Sequence, residues 1–448
     1  MADSSKRLTV HTSSLFDSKQ KCFLKDVSIV IDPETGLIAD TFTRSDKPLS
    51  QDELSGPDSI DLRGLTVLPG LVDAHTHVFL HPYSEVSSLN QMRDESAVER
   101  IVRATNHARA ALDAGYTTYR DLGTEGLRDA DASFRDTINR GLTPGPRLFV
   151  ATECIASSGG YEIRQENRSS PGGCCGGSGT TVPRISDPAD GVDGVRAAVR
   201  RRLAAGADIV KFYADYRKRA LRFPAPAWPG APDVKFPPSA HPLYGSRNPN
   251  TLLFNQVEMD AMVAEARLAR APIAAHAQSP EGVIMAARAG VTSIEHGATP
   301  SDDALQAMKE HDVLFVPTLS VFEASKGSYG DDAEQVFRDI LQHTKSAFNR
   351  GIRMACGGDT GAVAHGENVR ELELFAEAGI PALDVLQAAT LRGWEVCGGD
   401  LCGRRFGYIG KGWAADLIAV SGDPLEDLGV LRNILFVMKD GEVYKGRK

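Results

Sequence analysis

Two histidines, His75 and His77, are separated by one threonine and carry the clearest chemistry in the sequence. Residues 65–73 before them are apolar and β-prone apart from a Pro69-Gly70 turn, which predicts a buried strand ending at the histidines. Side chains at positions i and i+2 of a strand point to the same face, about 6.6 Å apart. Two neutral imidazoles placed in this way can bind one divalent cation, and imidazole suits zinc and neighbouring metals.

Four further strand-like segments end in a residue that can take part in such a site, namely Lys211, His276, His296 and Asp359. Between the strand-like segments lie stretches with helical periodicity, at residues 192–205, 255–270, 281–289, 302–311 and 332–349. Alternation of strands and helices favours a parallel β/α architecture. In a (β/α)8 barrel the catalytic residues lie at the C-terminal ends of the strands, which is where these candidates fall.

Several short motifs along the chain occur together in one known family. They are Pro69-Gly70-Leu71-Val72-Asp73-Ala74-His75-Thr76-His77, the run from Gly115 to Gly123, Val210-Lys211, Ala275-His276-Ala277, Ile294-Glu295-His296-Gly297, Gly358-Asp359-Thr360 and the closing segment 410–427. On these motifs the chain resembles the amidohydrolase superfamily of metal-dependent hydrolases. It is most similar to the imidazolonepropionase-like, Xaa-Pro dipeptidase and ochratoxinase branch. The resemblance covers nearly the whole chain.

The resemblance implies an α/β fold with two parts. Residues 69–403 are expected to form a catalytic (β/α)8 TIM-like barrel. Residues 1–68 and 404–448 are expected to form a small β-sandwich domain from both chain termini, since both stretches alternate β-prone runs with Asp, Gly and Pro turns.

The resemblance also implies a centre of two divalent metal ions, with zinc as the first expectation. Two cations held about 3.5–4 Å apart repel each other, and an anion shared between them offsets that repulsion. Lys211 is implied to be an N6-carboxylysine that supplies this anion. The implied ligands are His75 and His77 for the first ion, His276 and His296 for the second, carboxylated Lys211 for both, and Asp359 for the first ion.

The implied reaction is cleavage of an amide C–N bond in a small molecule by a metal-bridging hydroxide, with Asp359 as the catalytic residue that transfers the proton to the leaving amine. The substrate is expected to be an N-acyl amino acid, a dipeptide-like compound or a cyclic amide. A metal-dependent decarboxylase or lyase on the same scaffold remains an alternative. A non-catalytic scaffold protein is a third hypothesis, although such relatives usually lose metal ligands and all six are present here.

Four residues are candidates for contacts with the substrate: Tyr161, Tyr213, Gln278 and His241. Relatives that cleave dipeptides often have histidine where Tyr161 stands and tyrosine where Gln278 stands, so their specificity does not transfer directly. The phenol of Tyr161 can donate a hydrogen bond to a substrate carbonyl. Two irregular stretches, 157–181 and 216–250, follow strands at the metal-bearing face and are predicted to cover the pocket.

Three other residues near these motifs receive different predictions. Glu295 is adjacent to His296, so strand alternation predicts that it points to the opposite face and is structural. Asp121 is expected to fix strand geometry rather than to bind metal. His365 follows Asp359 in a loop and is the remaining histidine most suited to meet a substrate.

The composition is ordinary for a globular protein and agrees with an enzyme of this build. The 448 residues are 42% hydrophobic and 24% charged, and no apolar run approaches the ~20 residues that span a bilayer. The net charge of −9 argues against a nucleic-acid partner, and the N-terminus leads into no apolar signal core. Seven cysteines are expected to be reduced thiols. We therefore expect a cytoplasmic homo-oligomer that acts on a small molecule and binds neither nucleic acid nor membrane.

Overall fold

A computed structural model describes residues 7–54, 56–161, 184–216, 251–327 and 332–446. Within these residues the strands are β1 (Leu8–Asp17), β2 (Cys22–Lys25), β3 (Val27–Asp32), β4 (Leu37–Thr43), β5 (Ser59–Pro69), β6 (Leu71–Thr76), β7 (Tyr116–Asp121), β8 (Arg147–Val150), β9 (Cys154–Ala156), β10 (Ser186–Pro188), β11 (Val210–Tyr213), β12 (Asp215–Tyr216), β13 (Thr251–Leu252), β14 (Ile273–Ala277), β15 (Ser293–His296), β16 (Leu314–Val316), β17 (Leu417–Val420), β18 (Ile434–Lys439) and β19 (Glu442–Lys445).

The helices of the described residues alternate with the strands through the middle of the chain. They are α1 (Gln51–Leu54), α2 (Ser88–Asp94), α3 (Ala97–Asp113), α4 (Ala130–Asn139), α5 (Gly191–Ala204), α6 (Gln256–Leu268), α7 (Pro280–Ala289), α8 (Asp302–Glu310), α9 (Leu319–Ala324), α10 (Ala333–Asn349), α11 (Val369–Glu377), α12 (Ala382–Ala388), α13 (Leu391–Val396) and the 3₁₀ helices Gly399–Cys402 and Leu428–Arg432. None of these helices combines the length and the apolar character needed to cross a bilayer.

Parallel strands dominate the middle of the chain. The order β10-β9-β11-β14-β15-β16 forms one sheet, and β6-β7-β8 forms another. Strands β11, β14 and β15 are buried along their whole length, as expected for parallel strands covered on both faces. The prediction of an α/β fold with parallel strands is confirmed.

Residues 353–360 connect these two sets of strands. On one side the N–H of Phe315 in β16 donates to the carbonyl of Arg353 over 2.9 Å. On the other side the N–H of Ala74 in β6 donates to the carbonyl of Cys356, also over 2.9 Å. The segment therefore lies beside β6 and brings the residues that follow it to the end of that strand.

Local sequence signals explain where the outer helices begin and end. Asn255 caps α6 in a reciprocal arrangement with Glu258, which satisfies two otherwise unpaired N–H groups. Ser279 caps α7 ahead of Pro280, and α7 ends at Gly290, whose φ of 82° suits glycine. Buried apolar residues of α5 to α8 join those of the parallel strands in one continuous core.

A separate eight-stranded sheet joins strands from both ends of the chain. Its order is β19-β18-β17-β5-β1-β3-β4, with β2 paired to β1. Strand β5 pairs in parallel with β1 and antiparallel with β17, so it joins the N-terminal and C-terminal contributions. Arg147 of β8 donates to Asp416 over 2.8 Å and to Asp440 over 2.7 Å, which ties this sheet to the parallel strands.

Candidate metal centre and substrate cavity

The structure brings the six predicted ligand residues together at one edge of the parallel strands. His75 lies in β6, Lys211 in β11, His276 in β14 and His296 at the end of β15, whereas His77 follows β6 and Asp359 lies in the 353–360 segment. All six line one cavity of about 330 Å³.

Asp359 lies at the centre of the cluster. Its Oδ1 is 3.3 Å from Nε2 of His77 and 3.6 Å from Nε2 of His75. Ligand atoms of His75, His296 and Asp359 all fall within 4.8 Å of one another. The rings of His276 and His296 are 4.4 Å apart between centroids, and the ring of His296 is 5.0 Å from that of His75, so the second histidine pair adjoins the first.

The rear nitrogen of three imidazoles is held by a hydrogen bond. Nδ1 of His75 contacts Oε2 of Glu295 over 2.9 Å, and Nδ1 of His77 donates to the carbonyl of Gly123 over 2.8 Å. Nδ1 of His296 is hydrogen-bonded to Oγ1 of Thr318 over 2.8 Å. Because Nδ1 is engaged in each ring, Nε2 is the nitrogen that a metal ion would bind when the ring is neutral.

Burial sets the charge state of most of these groups. It lowers the pKa of His75 to about 4 and that of His296 to about 3, and it lowers the pKa of Lys211. Burial also acts to lower the pKa of His77, but its contact with Asp359 raises that pKa to about 9. His75 and His296 are therefore neutral at pH 7, whereas His77 carries a charge that balances that of Asp359.

Three polar atoms in the cluster are buried without a hydrogen-bond partner among the described residues. They are Nζ of Lys211, Nε2 of His276 and Oδ1 of Asp359. Buried polar atoms are normally paired, because an unpaired one costs about 1–3 kcal/mol. Imidazole nitrogens with carboxylate oxygens are the donor set that zinc and similar ions prefer. The residues therefore fit a divalent metal ion.

Close backbone contacts position Asp359. A Cβ on Gly357 would lie 2.6 Å from the backbone nitrogen of His75, so only glycine allows the segment to lie this near to β6. The carboxylate of Asp73 accepts from the His75 N–H over 3.0 Å and from Oγ1 of Thr360 over 2.8 Å. Asp73 thus joins the strand that bears the histidines to the loop that bears Asp359.

The prediction for Glu295 is wrong. Its carboxylate contacts His75 instead of pointing away from the cluster, and it is fully buried. Strand alternation fails here because His296 adopts a left-handed backbone conformation, with φ of 74°. The twist turns the His296 side chain toward the cluster although Glu295 already faces it. Asp359 and Thr318 also have positive φ, at 57° and 53°, and such strained residues concentrate at functional sites.

Glu295 belongs to a buried polar network. It accepts from the Arg120 guanidinium over 2.6 Å and from Oγ of Ser293 over 2.5 Å. Arg120 also donates to the carbonyl of Ala74 over 2.5 Å. Burial acts to raise the pKa of the Glu295 carboxyl, but Arg120 and His75 hold that pKa well below its usual range. Glu295 is therefore a carboxylate behind His75.

The cavity receives three of the four candidate substrate contacts. Tyr161, Tyr213 and Gln278 line it, whereas His241 lies outside the described residues. The hydroxyl of Tyr161 donates to Oε2 of Glu125 over 2.6 Å. The predicted covering stretches, 157–181 and 216–250, also lie outside the described residues except for residues 157–161 and Tyr216.

His365 does not reach the cavity, so that prediction is wrong. Its ring stacks on His107 at 4.2 Å between centroids, and its Nε2 contacts the carbonyl of Leu80. Asp121 accepts from the Val78 N–H over 2.6 Å, which agrees with a role in strand geometry.

The sequence and the geometry agree with one protein family. The family model described as "Amidohydrolase family" matches residues 66–446, most of the chain. The chain belongs to the amidohydrolase family. This amidohydrolase is similar to ochratoxinase of Aspergillus niger, with 28% identity over 402 residues that cover 85% of this chain and 76% of that protein.

Solved structures extend the comparison. A Xaa-Pro dipeptidase with methionine bound in its active site is 31% identical, with a TM-score of 0.77 over 98% of this chain and 100% of the other. The structure of A. niger ochratoxinase has a TM-score of 0.78 at 24% identity, over 99% of this chain and 97% of that one. At 24% identity, the likeness to the ochratoxinase structure shows the fold alone.

Sequence reasoning missed several lining residues of this amidohydrolase. Glu125, Tyr83 and Tyr216 line the cavity, as do Val321 and Phe322 of α9. Glu125 follows β7 by four residues, so its position at the same strand edge was a signal in the sequence. No comparable signal exists for the α9 residues, because their approach depends on helix packing.

Proposed function

We propose that this amidohydrolase is a binuclear metal-dependent hydrolase that cleaves an amide C–N bond in a small molecule. The observation that carries the proposal is the buried cluster of four histidines, a lysine and an aspartate, in which three polar atoms lack hydrogen-bond partners among the described residues. Family membership and the relatives named ochratoxinase and Xaa-Pro dipeptidase support hydrolysis of an amide bond.

The fold that we propose for the catalytic part is a (β/α)8 barrel over residues 69–403. The hydrogen bonds of residues 353–360 to β16 and to β6 support closure of the parallel strands into a ring. Between β8 and β11, the N–H of Asp208 donates to the Val150 carbonyl over 2.8 Å, which supports closure at the other junction of the two sets of strands. Residues 1–68 and 404–448 would form the small β domain.

The six side chains would hold two divalent ions, for which zinc is the first candidate. His75 and His77 would bind one and His276 and His296 the other, with Lys211 as an N6-carboxylysine between them. Burial lowers the pKa of Lys211, and a neutral amine is the form that adds carbon dioxide. When bound, the ions supply Lewis acidity that polarises a carbonyl and lowers the pKa of an attacking water.

Asp359 would be the proton carrier. Burial acts to raise the pKa of its carboxyl, but its contacts with His75 and His77 hold that pKa well below the usual range, so the group is ionised at neutral pH. We assign it the proton of the attacking water, which it then passes to the leaving amine. Its position beside both His75 and His77 is compatible with both transfers.

Metal removal and restoration test the proposed function. The purified protein is dialysed against a chelator, reconstituted with zinc and bicarbonate, and assayed with dipeptides, N-acyl amino acids and cyclic amides. We expect hydrolysis to disappear with the metal and to return at about two ions per chain. Product identification distinguishes amide cleavage from release of carbon dioxide. Undiminished hydrolysis in metal-free protein would refute the proposal, and so would decarboxylation as the sole reaction.

A further inference from the structure

Glu125 is a buried carboxylate in the wall of the cavity. Its residue is 5% exposed, and its Oε1 lies 4.0 Å from Nδ1 of His77. Both oxygens accept from phenols, Oε2 from Tyr161 over 2.6 Å and Oε1 from Tyr213 over 3.2 Å. The carboxylate thus stands directly beside the proposed metal centre.

The backbone holds Glu125 in this place under strain. Its φ is 50°, a left-handed conformation that non-glycine residues rarely adopt. Arg100 donates to the carbonyl of Glu125 over 2.8 Å and to that of Thr124 over 3.0 Å, so this guanidinium fixes the main chain. Strained residues persist where the surrounding structure demands their side chain at one position.

The hydrogen-bonding capacity of this carboxylate is only partly used. A carboxylate offers about four acceptor sites, and the two phenols occupy two of them. Within the described residues, no lysine or arginine side chain forms an ion pair with it, and its one ion-pair contact is His77 at 4.0 Å. Unused acceptor sites on a buried carboxyl group favour a ligand that can donate to them, and an ammonium group donates stronger hydrogen bonds than a neutral donor does.

His77 also sets the spacing between the two parts of the cavity. Its Nδ1 edge faces Glu125, whereas its Nε2 edge faces Asp359 at 3.3 Å. In an aminoacyl group the amino nitrogen lies about 2.5 Å from the carbonyl carbon. If the ammonium forms a hydrogen bond of about 2.8 Å with Glu125, the substrate carbonyl would lie across the His77 ring from Glu125, beside Asp359.

We propose that Glu125 is the anionic subsite that binds the ammonium group of the substrate. The substrate class is then an aminoacyl amide with a free α-amino group, such as a dipeptide, in preference to an N-acylated amino acid. This inference rests on the proposed amide hydrolysis.

Matched ligand pairs test the subsite by binding as well as by turnover. The zinc-loaded enzyme is titrated calorimetrically with leucine hydroxamate and with N-acetyl-leucine hydroxamate, which differ only at the amine. Rates are compared for a dipeptide and its N-acetyl form. We expect the free amine to be favoured at least tenfold in both measurements. In Glu125→Gln, which keeps the shape but not the charge, the preference should fall to about twofold or less.

Tyr161→Phe is the matched control, because it removes a donor to Glu125 but leaves the carboxylate. It should retain a preference for the free amine of at least fivefold. Metal content is measured for each variant. Equal or absent binding of the two hydroxamates to the wild-type enzyme, or an unchanged preference in Glu125→Gln at full metal content, would overturn the proposal. Amide hydrolysis without any preference would refute the subsite alone, whereas a Glu125-dependent preference in binding without amide hydrolysis would refute the proposed function.

Discussion

Glu295→Gln is expected to weaken metal binding although it replaces none of the proposed metal ligands. The wild-type carboxylate contacts Nδ1 of His75 over 2.9 Å and Arg120 over 2.6 Å. Glutamine has the same shape but offers one acceptor and one donor. If its oxygen accepts from Arg120, its NH₂ faces His75, which must then accept on Nδ1 and carry its proton on Nε2, the atom that would bind the metal. In the opposite orientation the NH₂ group faces the guanidinium of Arg120, so that two hydrogen-bond donors meet.

Both orientations carry a cost that follows from the structure. Loss of a partner that orients a metal-binding histidine typically lowers metal affinity about 10–100-fold, or about 1.4–2.7 kcal/mol. Arg120 and Glu295 are fully buried, and removal of one partner of a buried ion pair costs about 3–5 kcal/mol. Arg120 keeps its hydrogen bond to the Ala74 carbonyl. We therefore expect the free energy of unfolding to fall by about 3 kcal/mol, the lower end of that range.

Competition with a chelator measures the metal affinity, and urea unfolding of the metal-free protein measures the stability separately. Ser293→Ala is the matched control, because it removes a donor to the same carboxylate but leaves the contact with His75. It should cost about 1 kcal/mol of stability and change metal affinity less than twofold. If Glu295→Gln binds metal as tightly as wild type, Glu295 does not set the tautomer of His75.

Three further predictions concern other groups. Asp359→Asn should lower kcat about 10²–10⁴-fold while elemental analysis still finds bound metal, and full activity would exclude the proton transfer assigned to it. Lys211→Ala should lose bound metal and activity, and added short carboxylic acids should restore part of both; failure of every such acid would count against the carbamate. Burial acts to raise the pKa of the Asp440 carboxyl, but Arg147 and Arg404 lower it, so its stabilisation is present above pH 4 and is lost as the pH falls through the lowered value. Asp440→Asn should therefore cost about 1–2 kcal/mol in urea unfolding at pH 7 and progressively less below pH 4. Asp400→Asn, which removes an exposed ion pair, should leave the urea midpoint unchanged at both pH values. A loss of stability in Asp440→Asn that does not change with pH would refute the assignment.

The sequence was sufficient to predict the cluster. His75 and His77 have the i, i+2 spacing of one strand face, and Lys211, His276 and His296 each end a β-prone run. Because parallel strands present their carboxyl ends at one edge, residues far apart in the chain were expected to meet there. The structure brings them together as predicted. Their roles as metal ligands remain a prediction that metal analysis can test.

The backbone of His296 shows where such reasoning stops. Alternation assigns Glu295 and His296 to opposite faces, but a φ of 74° at His296 lets both approach His75. A left-handed residue at a strand end depends on what surrounds it, here Thr318 behind the imidazole. No spacing rule in the sequence contains that information.

What the sequence alone determined was the alternation of strands and helices and the residue types at the strand ends, because hydrophobic periodicity and turn residues are local properties of the chain. Only the tertiary structure decided which side chains support them. Glu295 behind His75, Glu125 beside His77 and the close approach of Gly357 to β6 all join residues that are distant in sequence or turned by backbone strain. Such contacts arise from packing in three dimensions, which local patterns do not encode.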